Sequence, residues 1–142
     1  MSIEDNKQVV ATFVEVCQNG RDLSAADEMF HADFVDHRGP DGRPVRATGR
    51  PAVPFQQFYG TLLQAFPDAT MEIRDQIAER DLVVTRKILR GRHLGKIWDL
   101  RPTGNPVAWE FIDIFRVKDG KLAEHWTSMD LDGLRAQMRP RE

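Results

Sequence analysis

The sequence predicts an α+β fold in which N-terminal helices pack on one face of a strongly curved, mostly antiparallel sheet and enclose an apolar pocket. Two observations carry this expectation. Apolar residues at helical spacing come first and strand-like alternation follows, an order that sets helices against a meander of strands. A long hairpin pattern then dominates the second half. Pro106 to Leu131 reads as two strands around the turn Lys118-Asp119-Gly120-Lys121, and Asp-Gly between alternating arms is a strong hairpin signal.

Taken in order, Ile3 to Cys17 carries Ile3, Val9, Val10, Phe13, Val14 and Cys17 at largely helical spacing, and Asn19-Gly20 stops that helix. Leu23 to Phe30 predicts a second, short helix with Ser24 as its cap. Phe34-Val35-Asp36-His37 reads as a short strand, and Gly39 to Thr48 as turn-rich loop. Pro51 to Phe66 predicts a third helix, with Pro51 near its first position, Pro54 still in the first turn, and Pro67-Asp68 ending it. Ala69 to Glu79 and Asp81 to His93 alternate as strands around Glu79-Arg80-Asp81. Leu94 to Asn105 is loop, and Leu131 to Met138 is a short closing helix. With no repeat, low-complexity stretch or linker, residues 1–142 read as one domain.

The hairpin admits two registers. A two-residue turn at Asp119-Gly120 pairs Lys118 with Lys121, which sets Asp113 opposite Trp126 and His125 opposite Ile114. A three-residue turn with Gly120 in a bulge pairs Val117 with Lys121, Asp113 with His125, and Phe111 with Thr127. A one-residue slip moves every side chain to the other face. The second register is favoured because it makes one coherent surface: Trp109, Phe111, Asp113 and Phe115 beside Ala123, His125, Thr127 and Met129. A mostly apolar wall with one carboxylate, one imidazole and one hydroxyl is how small-molecule pockets are built.

Composition narrows the class. The 142 residues are 41% hydrophobic and 30% charged with a net charge of −2, which gives no electrostatic case for nucleic acid or an acidic membrane surface. No apolar run approaches membrane-spanning length and the N-terminus has no apolar signal core, so a cytoplasmic protein is expected. The single Cys17 is expected to be core filler.

Asp113 and His125 are the leading candidates for chemistry. A carboxylate on an apolar face needs a partner, and an imidazole beside it could orient a base or move protons. His37 and His93, at strand ends, are candidates for hydrogen bonding to substrate. Local spacing supports no metal site for these histidines with Asp113. Trp98, Trp109 and Trp126 are expected in the core or lining the cavity, and Tyr59 on the third helix could aim its hydroxyl there. The run Arg86, Lys87, Arg90 and Arg92 is expected to be a solvated face.

Several ordered segments resemble one family. Ala65-Phe66-Pro67-Asp68, G-R-H-L-G at 91–95, R-P-T-G at 101–104 and I-D-I-F-R-V-K-D-G-K-L-A-E-H-W at 112–126 are similar to the SnoaL-like polyketide cyclase (ester cyclase) family. That family is a branch of the nuclear transport factor 2-like superfamily. The resemblance implies a cone-shaped α+β barrel with a deep apolar pocket, and a homodimer or homotetramer joined through the sheet. It also implies that the Asp113 and Thr127 positions face the pocket. The implied activity is cofactor-free ring closure of a polyketide ester by intramolecular aldol condensation. The family's acid/base aspartate falls at Thr127, and its pocket histidine on the preceding strand falls at Asp113. His93 matches the histidine of the Gly-Arg-His segment. A carboxylate–imidazole pair, Asp113 and His125, thus stands in a rearranged order. The expected function is acid/base proton transfer, an aldol-type cyclisation or isomerisation, on a small, largely apolar carbonyl compound. Asp113, His125, His93 and His37 are its catalytic candidates. Trp109, Phe111, Phe115, Thr127, Met129 and Tyr59 are its substrate-binding candidates. The alternatives are a binding protein of the same fold, or a hydrolase or dehydratase of the superfamily.

Overall fold

The structure is a computed structural model that describes residues 2–37, 44–46 and 49–140. Helix α1 (Ile3–Phe13) starts from a capping box. The Ser2 side chain accepts from the Asp5 amide, and the Asp5 carboxylate accepts from the Ser2 amide. The predicted helix stays regular only to Phe13, then widens into a π-helical turn over Val14–Asn19. Gly20 closes that turn by donating to the Glu15 carbonyl at 2.8 Å. A Cβ at Gly20 would lie 2.6 Å from the Val16 carbonyl oxygen, so no side chain fits there. The Asn19 side chain then ties the turn to β2, accepting from the Met71 amide at 2.6 Å and donating to its carbonyl at 2.8 Å.

The second helix is shorter than expected. It is a 3-10 turn over Leu23–Ala25 followed by α2 (Ala26–Met29). Its cap is Asp22, which accepts from the Ala25 amide, while the Ser24 hydroxyl bonds to Asp22 instead. Phe30 already belongs to β1 (Phe30–Asp36). The predicted loop from Gly39 to Thr48 lies mostly outside the described residues, although Val45 exchanges backbone hydrogen bonds with Asp36. Helix α3 (Val53–Ala65), β2 (Thr70–Glu79), β3 (Leu82–Arg92), β4 (Pro106–Lys118), β5 (Lys121–Met129) and α4 (Leu131–Gln137) follow close to their predicted bounds.

The five strands form one open sheet in the order β1-β5-β4-β3-β2. β1 runs parallel to β5 and all other neighbours are antiparallel. The helical half covers one face of the sheet. There Phe13 meets Phe55, Phe115 and Phe30 edge-on, at 4.7, 5.6 and 5.7 Å between ring centroids. Cys17 is fully buried in this core, as expected.

The hairpin combines parts of both predicted registers. Asp119 and Gly120 take φ of 53° and 72°, and Lys118 pairs with Lys121, so the turn has two residues. The register then shifts. Val117 pairs with Leu122 but Arg116 pairs with Glu124, leaving Ala123 extra in β5. Beyond the bulge Phe115 pairs with His125, Asp113 with Thr127 and Phe111 with Met129. The expected pairs of Asp113 with His125 and Phe111 with Thr127 are therefore corrected by two residues. Because side chains alternate with period two, that displacement keeps the expected residues on the inner face.

Candidate active site

Alternation along four adjacent strands builds the site. On β3 the inward row is Val83, Thr85, Lys87 and Leu89, all buried. On β4 it includes Phe111, Asp113 and Phe115, and on β5 His125, Thr127 and Met129. β1 contributes Phe30, Phe34 and Asp36, and Asp36 sits beside His125 in the parallel pairing. Phe55, Phe58, Tyr59 and Leu62 of α3 close the opposite wall. The free space among the lining atoms, mouth included, is about 480 Å³.

One polar chain crosses this apolar lining. With Asp36 and Asp113 ionised, carboxylate oxygens can only accept, so both ring nitrogens of His125 carry protons. His125 Nδ1 donates to Asp36 Oδ1 at 3.2 Å and Nε2 donates to Asp113 Oδ1 at 3.0 Å. Lys87 Nζ meets the other oxygen of Asp113, Oδ2, at 2.6 Å and donates to Gln18 Oε1 at 3.3 Å. Each charged side chain of this chain comes from a different strand: Asp36 from β1, His125 from β5, Asp113 from β4 and Lys87 from β3. Gln18 ends it from the π-helical turn. All five side chains are buried.

Burial alone would push the Asp113 carboxyl up. The Lys87 charge and the hydrogen bond from His125 outweigh it and hold that carboxyl well below the usual carboxylate range. Burial likewise disfavours a charged His125, but its hydrogen bonds to Asp113 and Asp36 raise it above its ordinary value. Asp113 and His125 therefore rest as a carboxylate against an imidazolium. Two hydroxyls face the cavity without hydrogen-bond partners among the described residues, Tyr59 Oη and Thr127 Oγ1. Burial pushes the Tyr59 phenol up to about 12, with the Arg21 charge opposing, so it remains a donor at neutral pH.

The other predicted site residues are dispersed. His37 lies on the outer face of the sheet, bonded to Glu124 at 2.7 Å and stacked on Trp126 at 4.7 Å, because beyond the Ala123 bulge β5 turns its even-numbered residues outward. His93 is buried in the loop after β3, where its Nδ1 accepts from the Thr103 amide at 3.3 Å; burial lowers its pKa, partly offset by the Gly95 backbone. Neither histidine lines the cavity. Trp109 is buried against Phe111 and also lies outside the lining, while Trp98 is 44% exposed under the Arg135 guanidinium. Tyr59, Phe111, Phe115, Thr127 and Met129 do line it. Among the described residues no group of three or more His, Cys, Asp or Glu side chains is arranged to hold a metal ion.

Lys87, Asp36 and Gln18 were not among the sequence candidates. Lys87 is 2% exposed, which corrects the reading of residues 86–92 as one solvated face. Arg86, by contrast, turns outward to Asp75 and Glu110, and Arg90 to Glu72. The alternation of Val83, Thr85, Lys87 and Leu89 is the signal that finds it.

Comparison with known proteins places these features in a lineage. The profile of the SnoaL-like polyketide cyclases matches residues 8–138. Nogalonic acid methyl ester cyclase of Streptomyces nogalater is 26% identical over 121 residues, 79% of this chain and 81% of its own. The crystal structure of AclR from Streptomyces galilaeus, described as a candidate hydroxylase, superposes with a TM-score of 0.83 at 26% identity. That match covers 96% of this chain and 82% of AclR. IdmH from Streptomyces antibioticus, described as a candidate polyketide cyclase, superposes with a TM-score of 0.77 at 29% identity, covering 93% of this chain and 96% of IdmH.

Proposed function

Because this chain belongs to the SnoaL-like polyketide cyclase family, we propose that it is a cofactor-independent cyclase or isomerase. It moves a proton at the carbon next to a carbonyl in a small, largely apolar, polyketide-like compound. The observation that carries this reading is the Asp113–His125 contact at 3.0 Å inside an apolar cavity. A buried acid/base pair in a greasy pocket is suited to carbonyl chemistry, because few competing waters reach it.

The resting imidazolium makes the pair an acid first. It gives a proton, through Asp113, to a ketone oxygen, while Tyr59 and Thr127 donate to other ligand oxygens. Electrons from the enolised carbon form the new C–C bond at that ketone carbon. The proton lost from the attacking carbon returns to the pair. The product is an isomer of the substrate, so atoms and electrons balance without a co-reactant. Thr127 at the family's acid/base position cannot take this proton near neutral pH, which assigns the work to Asp113 and His125.

A second reading, a binding protein of the same fold, is favoured by that same Thr127 together with the ion-paired state of Asp113. The two part in one experiment. The purified protein is incubated with nogalonic acid methyl ester and a panel of hydroxylated aryl ketones, and products are followed by mass and absorbance. Isomeric products that vanish in Asp113→Asn support the cyclase. Binding without any isomeric product across the panel supports the binder.

A further inference from the structure

Two carboxylates flank one imidazolium at His125. Alone, that trio would carry a net negative charge in a buried site and would hold its proton against release, because nearby negative charge favours the protonated ring. The fourth member is Lys87. Its ammonium takes the second oxygen of Asp113 at 2.6 Å and is braced by Gln18 Oε1 at 3.3 Å. It occupies an inward position between Thr85 and Leu89 where an aliphatic side chain would pack without a desolvation cost. Packing alone gives no reason for a buried lysine there.

We infer that Lys87 is a positioning residue that neutralises Asp113 and so loosens the proton on His125, allowing the pair to hand it to a ligand and take it back. This rests on the reading of Asp113 and His125 as the proton-handling pair. Lys87 sets one positive charge against Asp113; removing it adds one uncompensated negative charge near the ring, which then retains its proton. Among the described residues, the groups facing His125 are Asp36 from β1 and Asp113 from β4, with Lys87 from β3 behind Asp113 and the Tyr59 phenol on the α3 wall. Glu124, next to it on β5, turns to the outer face with Arg116 and His37.

The test is an NMR titration of the His125 ring in the full chain, free of ligand, using isotopically labelled histidine. Lys87→Met is expected to move the ring's titration upward by about one to three pH units, the range for loss of one neighbouring charge. Lys87→Arg, which keeps the charge, should stay near wild type. Should Lys87→Met fail to fold, Lys87→Gln keeps a neutral donor to Asp113 and carries the same expected shift. An unchanged or lowered titration in either folded neutral variant overturns the inference, since it would show that the Lys87 charge does not act on the ring. Failure of the underlying proton-transfer reading has a different signature. There, wild-type protein leaves ketone protons unexchanged although the titration shift in the Lys87 variants persists.

Discussion

Asp113→Asn is the substitution with the sharpest structural consequence. The carboxylate sits between two cationic donors, Lys87 Nζ at 2.6 Å and His125 Nε2 at 3.0 Å. An asparagine of the same shape has one acceptor oxygen and one amide NH2. Its NH2 then faces either Lys87, a donor, or His125 Nε2, which accepts only once the ring gives up that proton, and both groups lose their shared counter-charge. Removing one partner of a buried ion pair costs about 3–5 kcal/mol. For a chain of this size that lowers the melting temperature by roughly 10 °C, at about 2–4 °C per kcal/mol. The assay is chemical denaturation at pH 7, where a lower midpoint with unchanged slope reports lost stability. The pH dependence adds a second check. The folded-state pKa of Asp113 is depressed, so its contribution is fully present above the unfolded value near 3.9 and is lost as pH falls below it. The gap between wild type and variant should therefore persist from pH 7 to about pH 5 and narrow in stronger acid. A loss below about 1 kcal/mol at pH 7, the scale of an exposed pair, would refute the buried ion-pair reasoning.

Three further outcomes are expected. His125 has a raised folded-state pKa, so its contribution is complete below the unfolded value near 6.5 and is lost as pH rises through the folded value; His125→Gln should flatten the fall in stability above about pH 6.5 seen in thermal melts of wild type. Tyr59→Phe removes a buried hydroxyl that has no hydrogen-bond partner among the described residues. Stability should hold or rise slightly, while calorimetry should show affinity for a carbonyl ligand falling by about fivefold, the scale of one hydrogen bond of about 1 kcal/mol. Gly95→Ala would drive a Cβ into the Gln64 carbonyl at the end of α3, where the Gly95 amide also bonds to the Ala65 carbonyl. A denaturation midpoint lowered by about 1–3 kcal/mol is expected, the usual cost of forced overpacking.

The inner wall of the site was legible in the sequence for a physical reason. Phe111, Asp113, Phe115, His125, Thr127 and Met129 share a parity, and it survives because the pairs beyond the one-residue bulge at Ala123 lie two residues from the expected ones. The exact partners were not legible, since a bulge leaves no mark in an Asp-Gly turn motif. Lys87 was hidden by its neighbours: a block of cations reads as a surface, and only strand alternation separates it from Arg86. Asp36 was hidden by topology. Its place beside His125 comes from the parallel pairing of β1 with β5, a contact between residues 89 positions apart that local pattern cannot announce. His37 followed from the same missing information. With β1 unplaced, its position at a strand end made it a candidate for hydrogen bonding to substrate, whereas the pairing sends it to Glu124 and Trp126 on the outer face. The π-helical turn over Val14–Asn19 kept the apolar spacing of a regular helix and so gave no sign of itself.

The central claim is that the buried Asp113–His125 pair exchanges protons with a ligand's carbon. Incubation of the protein in D2O with simple cyclic ketones, such as a tetralone, tests this without knowledge of the natural substrate. The proton NMR signal next to the carbonyl reports exchange directly. Loss of that signal with wild type at a rate well above the buffer rate is the predicted result. It should fall to the buffer rate in Asp113→Asn and His125→Gln at a temperature where circular dichroism shows both variants folded. Exchange at the buffer rate with wild type, for ketones shown by calorimetry to bind, would contradict the claim and leave a binding cavity.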